Sequence, residues 1–288
     1  MAASQNTCVC RHFCAINRRT PATKPSKFPA ISLLSRELCA RAFIGRLHPP
    51  PFYPKAIASH AVNHENDYTK HYKEFSRNVD FAARTWHRYV HLNARASEDK
   101  EILEALNKAA AFWVDFNYSS FQTTIIFLGK IFTHEPFAYS IDKTLNAASA
   151  NEAHFSKSEL RKRKPEFDGI DEYIENSTEL TAAHVKSIKR KAREAKDIWG
   201  KIKPLRNKVY AHSDILSDEE KQALFQAVNR DDINKIIQIL LNISHALWQA
   251  EFNGREPDFS CDHEAPINHA KKSVEELITS LLPEKTPR

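Results

Sequence analysis

Glycine is scarce: five residues in 288 (Gly45, Gly129, Gly169, Gly200, Gly254), no two of them close together. Loops that cradle phosphates need clustered glycines so that the backbone can approach the ligand, so P-loop and dinucleotide-binding readings are excluded. Cysteine is almost confined to the first 64 residues, which hold Cys8, Cys10, Cys14 and Cys39 and leave only Cys261 for the rest. "CVCRHFC" lacks a fourth ligand at a sensible spacing, so it argues for neither a zinc site nor a disulfide framework. Long apolar runs are missing too. Asp115, Asn117, Gln122 and Lys130 interrupt the most apolar stretch too often for a membrane span. "AISLL" is too short for the core of a secretory signal.

Acidic residues are absent from the beginning of the chain in a telling way. Residues 1–64 carry nine Lys/Arg against the single acid Glu37, a net of +8, and leave 33 basic against 35 acidic residues beyond them. The overall charge of +6 is therefore local to one end. The same segment holds seven of the fourteen prolines, including "HPPPFYP", and no helical periodicity survives them. A disordered basic leader is expected here, with two readings open. It is an organelle transit peptide, Arg- and Ser-containing and nearly acid-free, or a start-site artefact, since Met1 is the only methionine and Val62 lies close to where the body begins.

From residue 65 the pattern is helical almost throughout. In "EILEALNKAAAFWVDFNYSSFQTTIIFLGKIF" (Glu101–Phe132), Ile102, Leu106, Ala109, Trp113, Phe116, Ser120, Thr123, Phe127 and Ile131 recur at spacings of three and four, which predicts one central core helix. Ser217-x-x-Glu220 is a capping-box pattern worth about 1 kcal/mol. Behind it, "DDINKIIQILLNISHALWQAEFNG" carries a stripe of Ile233, Ile236, Ile237, Leu240, Leu241, Ser244 and Leu247, with Asp231 or Asp232 as cap and Gly254 as stop. Other helices are expected near 67–95, 140–149 and 270–282, across "SELRKRK", and over Glu179–Lys203. Nothing alternates with period two. The fold class is all-α, an antiparallel helical bundle of four to five main helices, divided as leader 1–64, helical domain 65–255 and a C-terminal loop with a short helix, 256–288.

Candidate chemistry gathers at "LRNKVYAHSD" (Leu205–Asp214). Pro204 follows Gly200 by four positions, where its ring collides with the carbonyl of the earlier turn, so the helix "AREAKDIWGKIK" is expected to bend or break just before Arg206. In an α-helix His212 would stand about 120° around from Arg206 and about 9 Å along the axis. The spacing alone is uninformative: Arg84 and His91 satisfy it as well, and a chain with 14 histidines meets it by chance. What distinguishes the later pair is the polar Asn207 after the arginine, Ala211 before the histidine, and the neighbouring bend.

With those features the sequence resembles the HEPN domains (higher eukaryotes and prokaryotes nucleotide-binding), helical bundles marked by an arginine, a polar residue and a histidine four to six residues beyond the arginine. The segment "FQTTIIFLGKIFTHEPFAYSIDKTLNAAS" looks like the matching part of the abortive-infection U-type branch, and the resemblance covers about residues 70–255. It implies a metal-independent endoribonuclease without cofactor, with Arg206, Asn207 and His212 as catalytic residues. It further implies RNA as substrate, a homodimer in which two motifs share one cleft, a toxin role in phage defence or stress response, and an antitoxin as candidate partner. The tyrosine that some HEPN toxins place two residues after the histidine is Asp214 here, so regulation through it is not supported. The competing reading is a non-catalytic helical module that binds nucleotide, RNA or a protein.

Basic surface next to the motif is compatible with RNA. "KSELRKRK" and "KSIKRKAREAK" make Arg161, Lys162, Arg163, Lys189, Arg190 and Lys191 candidate RNA-binding residues, against the plainer reading of a solvated helix face. His87-x3-His91 and the Cys261, His263, His269 set offer weak metal readings without a complete ligand set. Trp86, Trp113, Phe116, Phe127, Trp199 and Trp248 read as core. A cytoplasmic location is expected, or organelle import if residues 1–64 are a genuine transit peptide.

Overall fold

Ten α-helices, and no strand among the described residues, make up the computed structural model, which describes residues 67–211, 215–260 and 263–282. The expected leader 1–64 lies outside them. In chain order the helices are α1 (Asp67–Glu98), α2 (Lys100–Asn107), α3 (Ala110–Ile131), α4 (Ile141–Ala150), α5 (Lys157–Arg163), α6 (Ile170–Glu175), α7 (Ala182–Leu205), α8 (Asp218–Gln226), α9 (Arg230–Asn253) and α10 (Ala265–Leu281). Five of them are long, α1, α3, α7, α9 and α10, with 32, 22, 24, 24 and 17 residues. Helix α1 packs against α3, α4, α9 and α10, while α7 lies against α9 and α4.

The expected single helix over 101–132 is two. Helix α2 ends at Lys108, whose N–H bonds back to Ala105 and Leu106, and α3 starts again after Ala109 at φ −128°. The interruption lets the two pieces serve different cores. Ile102 and Leu106 bury themselves with Leu92, Val274 and Ile278 in a small cluster on α10. Phe121, Ile125 and Leu128 enter the main core instead, so the buried stripe of α3 is not the one that unbroken spacing gives. Phe127 is only partly buried and stacks on Phe81, with Lys130 Nζ 4.4 Å from its centroid.

Local signals mark other boundaries. Ser217 and Glu220 form the reciprocal capping box, with Glu220 N–H donating to Ser217 Oγ at 3.2 Å and Ser217 N–H to Glu220 Oε2 at 2.8 Å. Helix α9 is capped by Asn229, which accepts from the Asp231 N–H, rather than by either aspartate; two positions before Asp231, the amide supplies the acceptor and leaves both acids to the first turn. Gly254 ends α9 at φ +55°, and Leu160 and Ser177 crowd the space a side chain would need. Helix α7 carries a second capping box, Thr181 with His184.

Two part-buried groups on α1 titrate in opposition. Burial pushes the Asp80 carboxyl up to about 6 despite Arg84 nearby. Burial, reinforced by Lys271 and Arg230, pushes His87 down to about 4. Asp80 is raised in the folded state, so its contribution is full below its unfolded value near 3.8 and is lost as pH rises through 6. His87 is depressed, so its contribution is present above 6.5 and is lost as pH falls through 4. Each is worth about 2–3 kcal/mol, and between pH 4 and 6 they cancel. Relative to the parent, Asp80→Asn should be more stable at pH 7 and lose stability more steeply towards pH 4; His87→Gln should show the reverse slope. Urea midpoints from pH 4 to 7 read this directly.

Candidate active site

Pro204 lies inside the last turn of α7 and has no N–H to offer the Gly200 carbonyl, yet the helix does not stop there. The Arg206 N–H bonds to the carbonyls of Ile202 and Lys203, and from Arg206 to Ala211 the chain continues as a π-helix. The outcome at the proline is a change of winding, with i→i+5 bonds, in place of a break. Such turns accumulate at functional sites, although that association alone assigns nothing. The α-helical angle between positions 206 and 212 therefore does not apply.

The π-turn is anchored from both sides. Leu205 just before it is fully buried. Tyr210 within it packs edge-on to Tyr118 and Phe225, with ring centroids 6.1 and 6.3 Å away. Arg206 opens the turn and runs its side chain across α3 at Gly129. A methyl group on Gly129 would stand 3.0 Å from Arg206 Nε and 3.3 Å from its Cγ, so only glycine lets the arginine lie this close to the helix. Arg206 Nη1 donates to Asn207 Oδ1 at 2.9 Å. Asn207 thus fixes the guanidinium through its side-chain oxygen and keeps its amide nitrogen for another partner.

Both residues line a cleft of about 370 Å³. One wall is Gly129 and the segment 132–136 after α3; the other is Trp199, Lys203, Arg206 and Asn207. Phe132 and Trp199, stacked at 5.6 Å and nearly parallel, give the cleft an apolar base. The far wall is held in place: Glu135 N–H donates to Thr133 Oγ1 at 3.3 Å, and Lys143 Nζ reaches the carbonyls of Glu135, at 2.9 Å, and Pro136. His134 stands on that wall with 76% of its side chain exposed and Nδ1 3.8 Å from Asp142 Oδ2, while Asp142 also grips Lys196. Lys203, Arg206, Asn207 and His134 line the cleft together with the carboxylate of Glu135, and the two cations and the amide can hold an anion such as a phosphodiester on their side.

The structure brings Arg206 and Asn207 together at the cleft. His212 and Asp214 lie outside the described residues. The proposed RNA-binding residues stand apart from the cleft lining, and most of their charge is engaged locally. Arg161 makes a two-pronged contact with Glu166 at 2.7 and 2.9 Å, and Lys162 pairs with Glu159 at 2.6 Å. Arg163 turns inward, half-buried, to the His154 carbonyl at 2.8 Å. Lys189 bonds Asn146 and Lys191 pairs with Glu194, while Arg190 is exposed. Among the described residues no three His, Cys, Asp or Glu side chains are grouped to hold a metal ion. His91 of the His87/His91 pair is engaged by Glu275 at 2.6 Å, and His263 stacks on His245 at 4.2 Å, while Cys261 lies outside the described residues. No described helix is long and apolar enough to cross a membrane.

Gly129, His134 and Lys203 escaped the sequence reading. Gly129 had a usable signal: a glycine inside an apolar helix costs about 1 kcal/mol against alanine, and a chain with five glycines does not place one there idly. No curated protein and no solved structure matches this chain. The family model HEPN_AbiU2, described as AbiU2, matches residues 65–277 and so spans both walls of the cleft and the π-turn. The chain belongs to the AbiU2 family of HEPN domains.

Proposed function

We propose that this protein is a metal-independent endoribonuclease, acting in the cytoplasm as a toxin in phage defence or stress response. The observation that carries the reading is the Arg206 guanidinium, laid against Gly129 and fixed by Asn207 at the edge of a polar cleft. A neighbouring 2′-OH of RNA attacks the phosphorus in line, forming the 2′,3′-cyclic phosphate as the bond to the 5′-oxygen breaks. Arg206, always charged and planar, offsets the extra negative charge of the pentacoordinate state. Histidine is the side chain suited to proton transfer at neutral pH, and His212 fills that role. A homodimer would bring a second copy of the motif to the reaction, and an antitoxin is a candidate regulator.

The test uses the full chain with RNA in EDTA. Cleavage that leaves 2′,3′-cyclic phosphate ends, lost in His212→Ala, is the expected result, and expression of the parent but not the variant should arrest growth. Undiminished cleavage by His212→Ala would overturn the catalytic reading and put the non-catalytic binding module in its place.

A further inference from the structure

The in-line reaction needs two proton transfers, one from the attacking 2′-OH and one to the departing 5′-oxygen, and these oxygens lie on opposite sides of the phosphorus. A phosphate seated on the Arg206 guanidinium therefore needs a proton-transferring group on each side of it. Arg206 and Asn207 belong to the α7 wall. Facing it, the segment after α3 carries His134, whose ring is largely exposed and lines the same cleft as Arg206 and Asn207.

We propose that His134 is a second catalytic residue, the general acid that protonates the 5′-oxygen as the P–O5′ bond breaks. This rests on the ribonuclease reading above. Two features prepare the residue for the task. Asp142 Oδ2 faces Nδ1, at 3.8 Å, rather than Nε2. Lys143, by gripping the Glu135 and Pro136 carbonyls, holds the segment that carries the imidazole. The step balances without a metal or a co-reactant: O2′ gives up its proton to a base as the O2′–P bond forms, and the electrons of the P–O5′ bond leave with O5′, which takes the proton from His134. In this arrangement one chain brings an imidazole that the sequence motif does not contain, so acid and base need not both come from motif histidines of two subunits.

The experiment compares two RNAs after the cut has been mapped with the parent protein. One is the natural strand; the other carries sulfur in place of the bridging 5′-oxygen at that cut, a leaving group that departs without a proton. His134→Ala should cleave the natural strand about 10²–10⁴-fold more slowly, the range for loss of a general acid, and the sulfur-bearing strand within about tenfold of the parent. His212→Ala serves as the second arm. Full activity of His134→Ala on the natural strand, or an equal loss on both strands, overturns the assignment while an inactive His212→Ala leaves the ribonuclease reading standing. Absence of cleavage by the parent removes both. His134 is exposed, so its variant should keep the parent melting temperature, which separates the result from unfolding.

Discussion

Gly129→Ala should reduce RNA cleavage by about 10²-fold while leaving the protein folded. The added methyl group meets Arg206 and no nearer neighbour: 3.0 Å to Nε, 3.3 Å to Cγ and 3.5 Å to Cδ. These are atoms of a flexible side chain at the edge of a cleft, so the arginine yields and the helix stays. Its guanidinium then leaves the position that Asn207 holds, and a displacement of about 1 Å in a charge-stabilising group costs about two orders of magnitude. Stability should change little, because the gain in helix propensity, about 1 kcal/mol, opposes the contact strain. Single-turnover cleavage alongside a melting curve measures both. Arg206→Ala should match or exceed the loss, and adding Gly129→Ala to it should cost nothing further, since the two act through one side chain. Additive losses would show that Gly129 serves something other than Arg206.

The largest stability effect is expected at Trp86. It is 1% exposed in the main core, its ring lies 5.5 Å from Tyr89 and 6.2 Å from Phe121, and its indole N–H donates to Asn234 Oδ1 at 2.6 Å. Trp86→Ala removes the largest side chain at the meeting of α1, α3 and α9 and strands the Asn234 oxygen. The expected loss is about 3–5 kcal/mol, a large share of the roughly 5–15 kcal/mol that holds a domain together. Trp86→Phe keeps most of the packing and loses chiefly the hydrogen bond, about 1–2 kcal/mol. Urea unfolding of the three proteins separates these contributions, and a Trp86→Ala midpoint close to the parent would contradict the packing seen.

Helix type and several boundaries were legible because they depend on nearest neighbours along the chain. Ser217 and Glu220 announce a cap, Gly254 a stop, and the isoleucine–leucine stripe of α9 a buried face, each by a spacing of no more than five residues. The break at 108–109 was not legible, because it answers a demand from α10, more than 150 residues later, where Val274 and Ile278 complete a second core. The site divides in the same way. Arg206 and Asn207 stand out by adjacency. The cleft wall opposite them is brought there by tertiary packing, and no spacing rule joins positions 129 and 134 to position 206. The basic stretches belong with the local features: Lys162, Arg161 and Lys191 meet Glu159, Glu166 and Glu194 only three to five residues away along the chain.

The wide turn that follows Pro204 makes the motif a matter of counting as well as identity. A π-turn holds more residues than the α-helical turn it replaces, so the stretch 206–211 behaves as an insertion stored at the end of α7. Exchange of one residue for another leaves that phase intact. Loss of one residue would let the chain relax to ordinary winding, which absorbs the deletion and leaves Tyr210 close to its seat between Tyr118 and Phe225. Identity is fixed at Arg206 and Asn207, while the turn holds one residue of length in reserve behind them.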